Sequence, residues 1–315
     1  MGMRSRSVSL FVLLASLFVA AVFAPLAAQA AFPGRNGNIL FTEGWHVKLL
    51  NPKTGTIHKV VNGGGPYTAQ FLANGRNFVY INGNANELRI RSLSDRNIRR
   101  RGRLVLRDPE LGLRAVSSDA DGRHIVFAAV RGGYQPRKGL EHRIEIYSIN
   151  RDGSNLTRLT RNRAFDNDPA VSPDGSKVAF VRRKKGGARI FTMNIDGSGQ
   201  RQVSHGSGWK RSPSYSPDGR RIVYAGQLKR PGLDRWESAE IFSISARDGS
   251  GRIRITNDRG EAQYPSFSPN GKKVLFVRHW NQLMSVNVDR TGLNKLYETP
   301  YGGGVLWTNW GPAAN

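Results

Sequence analysis

Three features of the 315-residue sequence predict an all-β chain folded as a six-bladed β-propeller of four-stranded antiparallel blades. A two-strand unit recurs along the chain, a second turn of the type Asp-Gly-Ser-Gly follows most copies, and the last segment supplies the strand that the first repeat lacks. The unit is clearest from Ser212 to Tyr224, S-P-S-Y-S-P-D-G-R-R-I-V-Y, and returns from Asp168 to Phe180 and from Tyr264 to Phe276. Looser copies start at Gly65 and Arg114. In each copy the turn chemistry is explicit: Pro217 fixes φ, Asp218 accepts the backbone donors of the turn, and Gly219 takes the positive-φ position that ends it. The apolar, β-branched run that follows is a strand.

The blades can be taken in order. Asn36-Gly37 leads into a second strand, Asn38 to Thr42, followed by a third, His46 to Leu50, and a fourth, Ile57 to Val61. Glu87 to Leu93 and Leu104 to Leu106 fill the third and fourth positions of the next blade, with Arg99-Arg100-Arg101 between them. Later blades repeat the pattern: Ile144 to Ile149 with Asn155 to Leu159, Ile190 to Asn194 with Gln200 to Val203, Ile241 to Ile244 with Arg252 to Ile255, and Gln282 to Val286 with Leu293 to Tyr297. The glycines between first and second strands, Gly37, Gly75, Gly122, Gly175, Gly219 and Gly271, recur about every 47 residues, near the spacing of a propeller blade. Six second strands follow only five first strands. Leu306 to Pro312, L-W-T-N-W-G-P, matches the missing one, with Trp310 in the place of Tyr215 and Pro312 in that of Pro217. The C-terminal strand is therefore expected to complete the first blade and close the ring, which leaves no open sheet edge between the chain ends.

Residues 1–30 read as a secretory signal peptide: Arg4 and Arg6, an apolar run from Val8 to Ala24, and the small-x-small site Ala28-Gln29-Ala30. The rival reading is an uncleaved membrane anchor, since the run is nearly long enough to span. Residues 31–315 are expected to form one propeller, exported to the periplasm, cell wall or medium, monomeric, and without a membrane span after cleavage. The chain has no Cys, which excludes disulfides and thiol chemistry, so stability must come from burial and sheet closure. The formal charge of +25 falls to +23 without the two leader arginines. A field of that size favours polyanionic neighbours, although compositional bias toward Arg would produce it as well.

At the repeated P-x-aromatic-S-P-D-G and D-G-S-G motifs the chain resembles the TolB-type propeller family, also described as WD40-like or PD40 repeats, from about Phe32 to Pro312. The resemblance implies the fold and an envelope setting, since the family's namesake works with a peptidoglycan-associated lipoprotein. That namesake carries an α/β domain before its propeller. Here the leader runs straight into the first blade, so neither that domain nor the Tol-Pal role is expected to carry over. Similar repeats precede the hydrolase domain of prolyl oligopeptidase relatives, and no such domain is expected after Pro312.

Antiparallel blades put the second-to-third-strand loops and the inter-blade connections on one face, and the P-D-G and D-G-S-G turns on the other. The longer, variable segments all fall on the first face, where binding residues concentrate. Candidate recognition residues there are Arg131, Tyr134, Arg137 and Lys138, then Arg182, Arg183, Lys184 and Lys185. Trp209, Lys210 and Arg211 join them, as do Lys229, Arg230, Arg235 and Trp236, and finally Arg278, His279 and Trp280. Arg interleaved with aromatic residues is the composition of binding hot spots; the same charges would also serve simply to solvate long loops.

Catalytic signals are weaker. The six His show no metal-binding spacing, G-x-S-x-G is absent, and Asp119-x-Asp121-Gly122 lacks the terminal Glu of a calcium loop, which leaves turn capping. No cofactor is expected, apart from a cation that Asp166 and Asp168 could meet at the central channel. The leading expectation is a secreted, non-enzymatic scaffold of the envelope that recognises a protein or an anionic polymer; nucleic acid, seldom met outside the cell, is not. The alternative is a lyase- or hydrolase-type enzyme with its site at the channel.

Overall fold

The structure, a computed structural model, describes residues 34–62, 68–72, 74–82, 85–95, 97, 99–119, 122–132, 144–228, 239–257, 261–300 and 304–314. Blade 1 holds β1 (Asn36–Glu43), β2 (His46–Leu50) and β3 (Ile57–Val61). Blade 2 holds β4 (Ala69–Phe71), β5 (Asn77–Ile81), β6 (Glu87–Ser92) and β7 (Arg103–Arg107). Blade 3 follows with β8 (Leu111–Ser118), β9 (His124–Arg131), β10 (Ile144–Asn150) and β11 (Thr157–Arg158). Blade 4 comprises β12 (Asp166–Val171), β13 (Lys177–Lys184), β14 (Gly187–Asn194) and β15 (Arg201–Gln202). In blade 5 are β16 (Lys210–Tyr215), β17 (Arg221–Gln227), β18 (Ala239–Ser245) and β19 (Ile253–Arg254), and in blade 6 β20 (Ala262–Phe267), β21 (Lys273–Arg278), β22 (Gln282–Asn287) and β23 (Asn294–Glu298). The last strand, β24 (Val305–Pro312), joins blade 1, giving six antiparallel four-stranded sheets with blade 1 ordered β24-β1-β2-β3.

Ring closure is built as the sequence predicts. Ile39 lies opposite Trp310 and Phe41 opposite Thr308, and the Trp310 indole donates to the Gly37 carbonyl at 3.1 Å. The final strand also ties its neighbours: Thr308 donates to the Tyr264 carbonyl of blade 6 at 2.7 Å, and Asn309 accepts the Phe71 amide of blade 2 at 2.9 Å. Each blade faces another on both sides, so the middle strands carry apolar side chains on both faces. β9, H-I-V-F-A-A-V-R, is buried from Ile125 to Val130. One core forms at every interface. Ile39 and Phe41 of blade 1 pack with Leu275 and Leu283 of blade 6, and Leu40 and Val47 with Phe71 and Phe78 of blade 2.

The turn chemistry is as expected. Asp218 accepts the Ser216 hydroxyl at 2.5 Å and the Arg220 amide at 3.0 Å, while Gly219 sits at φ +69°. Three of the outer strands are shorter than the sequence predicts, while β3 and β23 have the expected length and β7 is longer. β11, β15 and β19 have two residues each, where four or five were expected. Side-chain clamps supplement the few backbone bonds: Glu145 takes the Arg158 guanidinium at 2.9 Å and the Thr160 hydroxyl at 2.5 Å, and Thr160 accepts the Ile146 amide at 2.9 Å, beside the Leu159 amide on the Ile146 carbonyl. Glu240, Arg254, Thr256 and the Ile241 amide repeat the arrangement in blade 5. Among the described residues no helix is long and apolar enough to cross a membrane. The leader expected over residues 1–30 lies outside the described residues.

Candidate binding face and channel mouth

The inner strands of all six blades line a narrow central cavity of about 90 Å³. Most of these strands break register midway, and at the break four non-glycine residues adopt left-handed backbone: Asp168 (φ +49°), Ser212 (φ +50°), Tyr264 (φ +51°) and Trp307 (φ +52°). Such bulges re-aim side chains, and bulky residues at positive φ mark local strain that the surrounding structure holds in place. Here all four residues line the channel.

Asp168 is buried and its carboxylate accepts the Ser212 amide at 3.0 Å and the Asn167 side-chain amide at 2.8 Å. Burial pushes its carboxyl above the ordinary range, against the opposing pull of Arg211 and Arg114. The Tyr264 phenol is pushed up to about 12 by burial and by the nearby Asp168. The Thr68 and Ser266 hydroxyl oxygens, buried in the same lining, have no protein partner. Asp166, expected beside Asp168, is committed elsewhere: Arg182 grips it with two bonds of 2.7 Å, and Asn162 donates at 2.8 Å. Among the described residues no three His, Asp or Glu side chains converge as metal ligands would.

Aromatic residues lead from this channel onto the loop-bearing face. Tyr264 lies 5.1 Å from the Trp307 ring and meets Trp280 edge-on at 6.1 Å. Trp280 is 37% exposed in the three-residue β21–β22 turn between paired Arg278 and Gln282, where His279 (φ +49°) and Trp280 (φ +62°) both adopt left-handed backbone. Gly or Asn normally takes such conformations. The turn is anchored by three backbone bonds, from His279 to the Glu261 carbonyl, from Thr299 to Asn281 and from Val305 to Trp280. Trp209 sits between the guanidinium groups of Arg183 and Arg211, 5.5 and 5.8 Å from its ring, and exchanges backbone and side-chain bonds with Gln227.

The structure sorts the expected recognition residues. Arg131, Arg183, Lys184, Lys185, His279 and Trp280 are exposed, while Trp209, Arg211 and Arg278 are half-buried. Arg182 is turned inward onto Asp166 and over the Phe180 and Phe191 rings. Lys210 is buried, donates to the Gly206 and Ser207 carbonyls at 3.2 and 3.1 Å, and is pushed down to about 8 by burial and by Arg189 and Arg252. Tyr134, Arg137, Lys138, Lys229, Arg230, Arg235 and Trp236 lie outside the described residues. The structure adds Trp45, 66% exposed on the β1–β2 turn, together with Tyr264 and Trp307. Trp45 occupies the same second-to-third-strand position as Trp280, so aligning the blades by phase is the signal that finds it.

Six closed four-stranded blades around a narrow channel define a six-bladed β-propeller. The profile of the PD40 family, the TolB beta propeller domain, matches residues 121–314. The chain belongs to that family. It is 33% identical over 158 residues to a Protein TolB homolog of Chlorobium luteolum, a match covering 50% of this chain and 31% of that protein. It thus spans about a third of the length of the curated relatives it matches. Among solved structures, TolB from Acinetobacter baumannii superposes with a TM-score of 0.71 at 16% identity, over 89% of this chain and 68% of that one. An oligogalacturonate lyase from Vibrio parahaemolyticus superposes with a TM-score of 0.58 at 15% identity, over 86% and 78%. At such identities both likenesses concern the fold alone.

Proposed function

We propose that the chain is an exported, non-enzymatic binding protein of the cell envelope, built as a leader over residues 1–30 and one propeller over 31–315, which takes a protein or anionic-polymer partner on its loop-bearing face. The observation that carries this reading is the aromatic path from the channel to the surface, Trp307 to Tyr264 to the exposed Trp280 on its strained turn. Rigid aromatic groups already fixed in place bind at low entropic cost, and Trp, Tyr and Arg dominate the energetics of interfaces. Trp209 between Arg183 and Arg211 adds a second anchor whose flanking charges suit an acidic partner. Membership of the TolB propeller family supports the envelope setting.

The test is capture from an envelope extract by the immobilised chain, repeated at high salt to screen contacts that depend on charge alone. Replacing Trp209 and Trp280 together by Ala should leave the thermal melt intact and weaken capture by about tenfold or more, as loss of hot-spot aromatics does. Undiminished capture by a folded double variant would remove this face from the interaction.

A further inference from the structure

The arginine-rich loop between β6 and β7 is not part of that face; it lies on the opposite, turn-bearing side at the rim of blade 2. Its backbone is held from within. Arg91, 2% exposed, donates to the Arg100 carbonyl at 2.8 Å, to Asn97 at 2.8 Å and to Asp95 at 3.1 Å. Arg89, 8% exposed, donates to the Gly102 carbonyl at 2.9 Å, and the Tyr80 hydroxyl reaches that of Arg101. Gly102, at φ +73°, approaches the Ile90 carbonyl so closely that an added Cβ would lie 2.5 Å from its oxygen. With five carbonyls turned inward, the side chains of Arg99, Arg100 and Arg101 face solvent.

Two features extend this patch. Arg103, also exposed, donates to the Arg151 carbonyl of blade 3 at 2.7 Å, which fixes the neighbouring blade's turn alongside. Leu104 is 39% exposed next to it, and Leu156, which follows that turn, is 41% exposed. The acids nearby are engaged locally: Asp95 accepts the Asn97 amide at 3.2 Å, and Asp152 accepts the Ser154 amide and hydroxyl at 2.9 and 2.7 Å. Guanidinium forks match phosphate geometry, and basic residues beside exposed leucines are the composition of surfaces that lie on anionic bilayers.

We propose that the Arg99–Arg103 loop docks the turn-bearing rim of blades 2 and 3 onto a membrane surface through anionic phospholipid headgroups, with Leu104 at the lipid boundary. This orientation leaves the aromatic face directed away from the bilayer.

The test uses the chain from Ala31 onward, which holds every strand of the described residues and omits an apolar leader that would bind lipid by itself. Binding is measured by co-sedimentation with phosphatidylcholine vesicles containing about 30% phosphatidylglycerol, against pure phosphatidylcholine vesicles. The triple variant R99Q/R100Q/R101Q should lose about tenfold or more in affinity for the anionic vesicles, and L104S about threefold. The charge-matched variant R220Q/R247Q/R290Q, on the same side but in blades 5 and 6, should lose less than about threefold. Equal losses in the two triple variants would reduce the effect to net charge and overturn the proposal. So would loop-dependent binding to soluble polyphosphate as tight as that to vesicles and indifferent to L104S, which would make the ligand a soluble polyanion. Should the triple variant fail to fold, R99Q, R100Q and R101Q taken singly decide the matter by losses of about two- to threefold each against single changes at Arg220, Arg247 and Arg290.

Discussion

Glu87 gathers several partners within blade 2. Its two carboxylate oxygens receive Arg89 at 2.7 Å, Asn82 at 2.8 Å, and Arg107 at 2.9 and 2.6 Å. The bond from Arg89, opposed by burial, holds its carboxyl down to about 2, from an ordinary 4.5. A depressed acid contributes stability that is complete above its unfolded value and is lost as pH falls through the folded one, so this contribution disappears between pH 4.5 and about 2. Glu87→Gln leaves the Arg89 guanidinium buried without its charge partner. Urea unfolding at neutral pH should show a loss of about 3 kcal/mol, and the variant's stability should depend less on pH across that acid window. Arg182 and Lys210 illustrate the limit of reading single residues. Both stand in basic, loop-like sequence, yet Arg182 serves Asp166 and Lys210 serves two loop carbonyls. Nothing in a basic run states which side chain finds a carboxylate from sixteen residues away.

At the scale of the element, a blade is fixed by how closely its turns approach the next blade. Gly249, in the Asp248-Gly249-Ser250-Gly251 turn of blade 5, has φ +78°, and a Cβ there would overlap the Val203 carbonyl oxygen of blade 4. Gly44, at φ +57° in the β1–β2 turn, has open space around it. Gly44→Ala should therefore cost only about 1 kcal/mol, the ordinary penalty for positive φ. Gly249→Ala must also displace backbone, and should cost about 2 kcal/mol or more. Thermal melts of the two variants measured side by side check the difference. The turn glycines were legible in the sequence, because left-handed backbone penalises a Cβ, although Arg290 at φ +78° takes the equivalent position in blade 6. The Glu145-Arg158-Thr160 clamp was not, since nothing in the spacing of Arg158 and Thr160 states that both reach a glutamate on the neighbouring strand.

For the molecule as a whole, stability depends on a ring whose every interface has its own apolar core. Deleting 305–315 removes the inner strand of blade 1, exposes the β1 edge, and takes Val305 and Trp310 out of the core shared by blades 1 and 6. The truncated chain should melt far lower or associate through the open edge. Size-exclusion chromatography with thermal melting checks this, and a monomer with unchanged melting would contradict closure as the source of stability. The same closure places the two proposed surfaces, the aromatic face and the arginine rim, on opposite sides of one ring of blades.

The repeat, its turns and the complementarity of the chain ends determined the fold from sequence alone, because periodic apolar strands joined by positive-φ glycines have few ways to bury both faces. Which charged residues reach solvent was decided only by the tertiary structure. Arg182, Arg89 and Arg91 are drawn inward because other segments offer them a carboxylate or carbonyls, whereas Arg103 and Arg107 stay at the surface although each also reaches a partner. The channel mouth was decided in the same way, since bulges on four separate blades bring Asp168, Ser212, Tyr264 and Trp307 together from positions far apart in the chain.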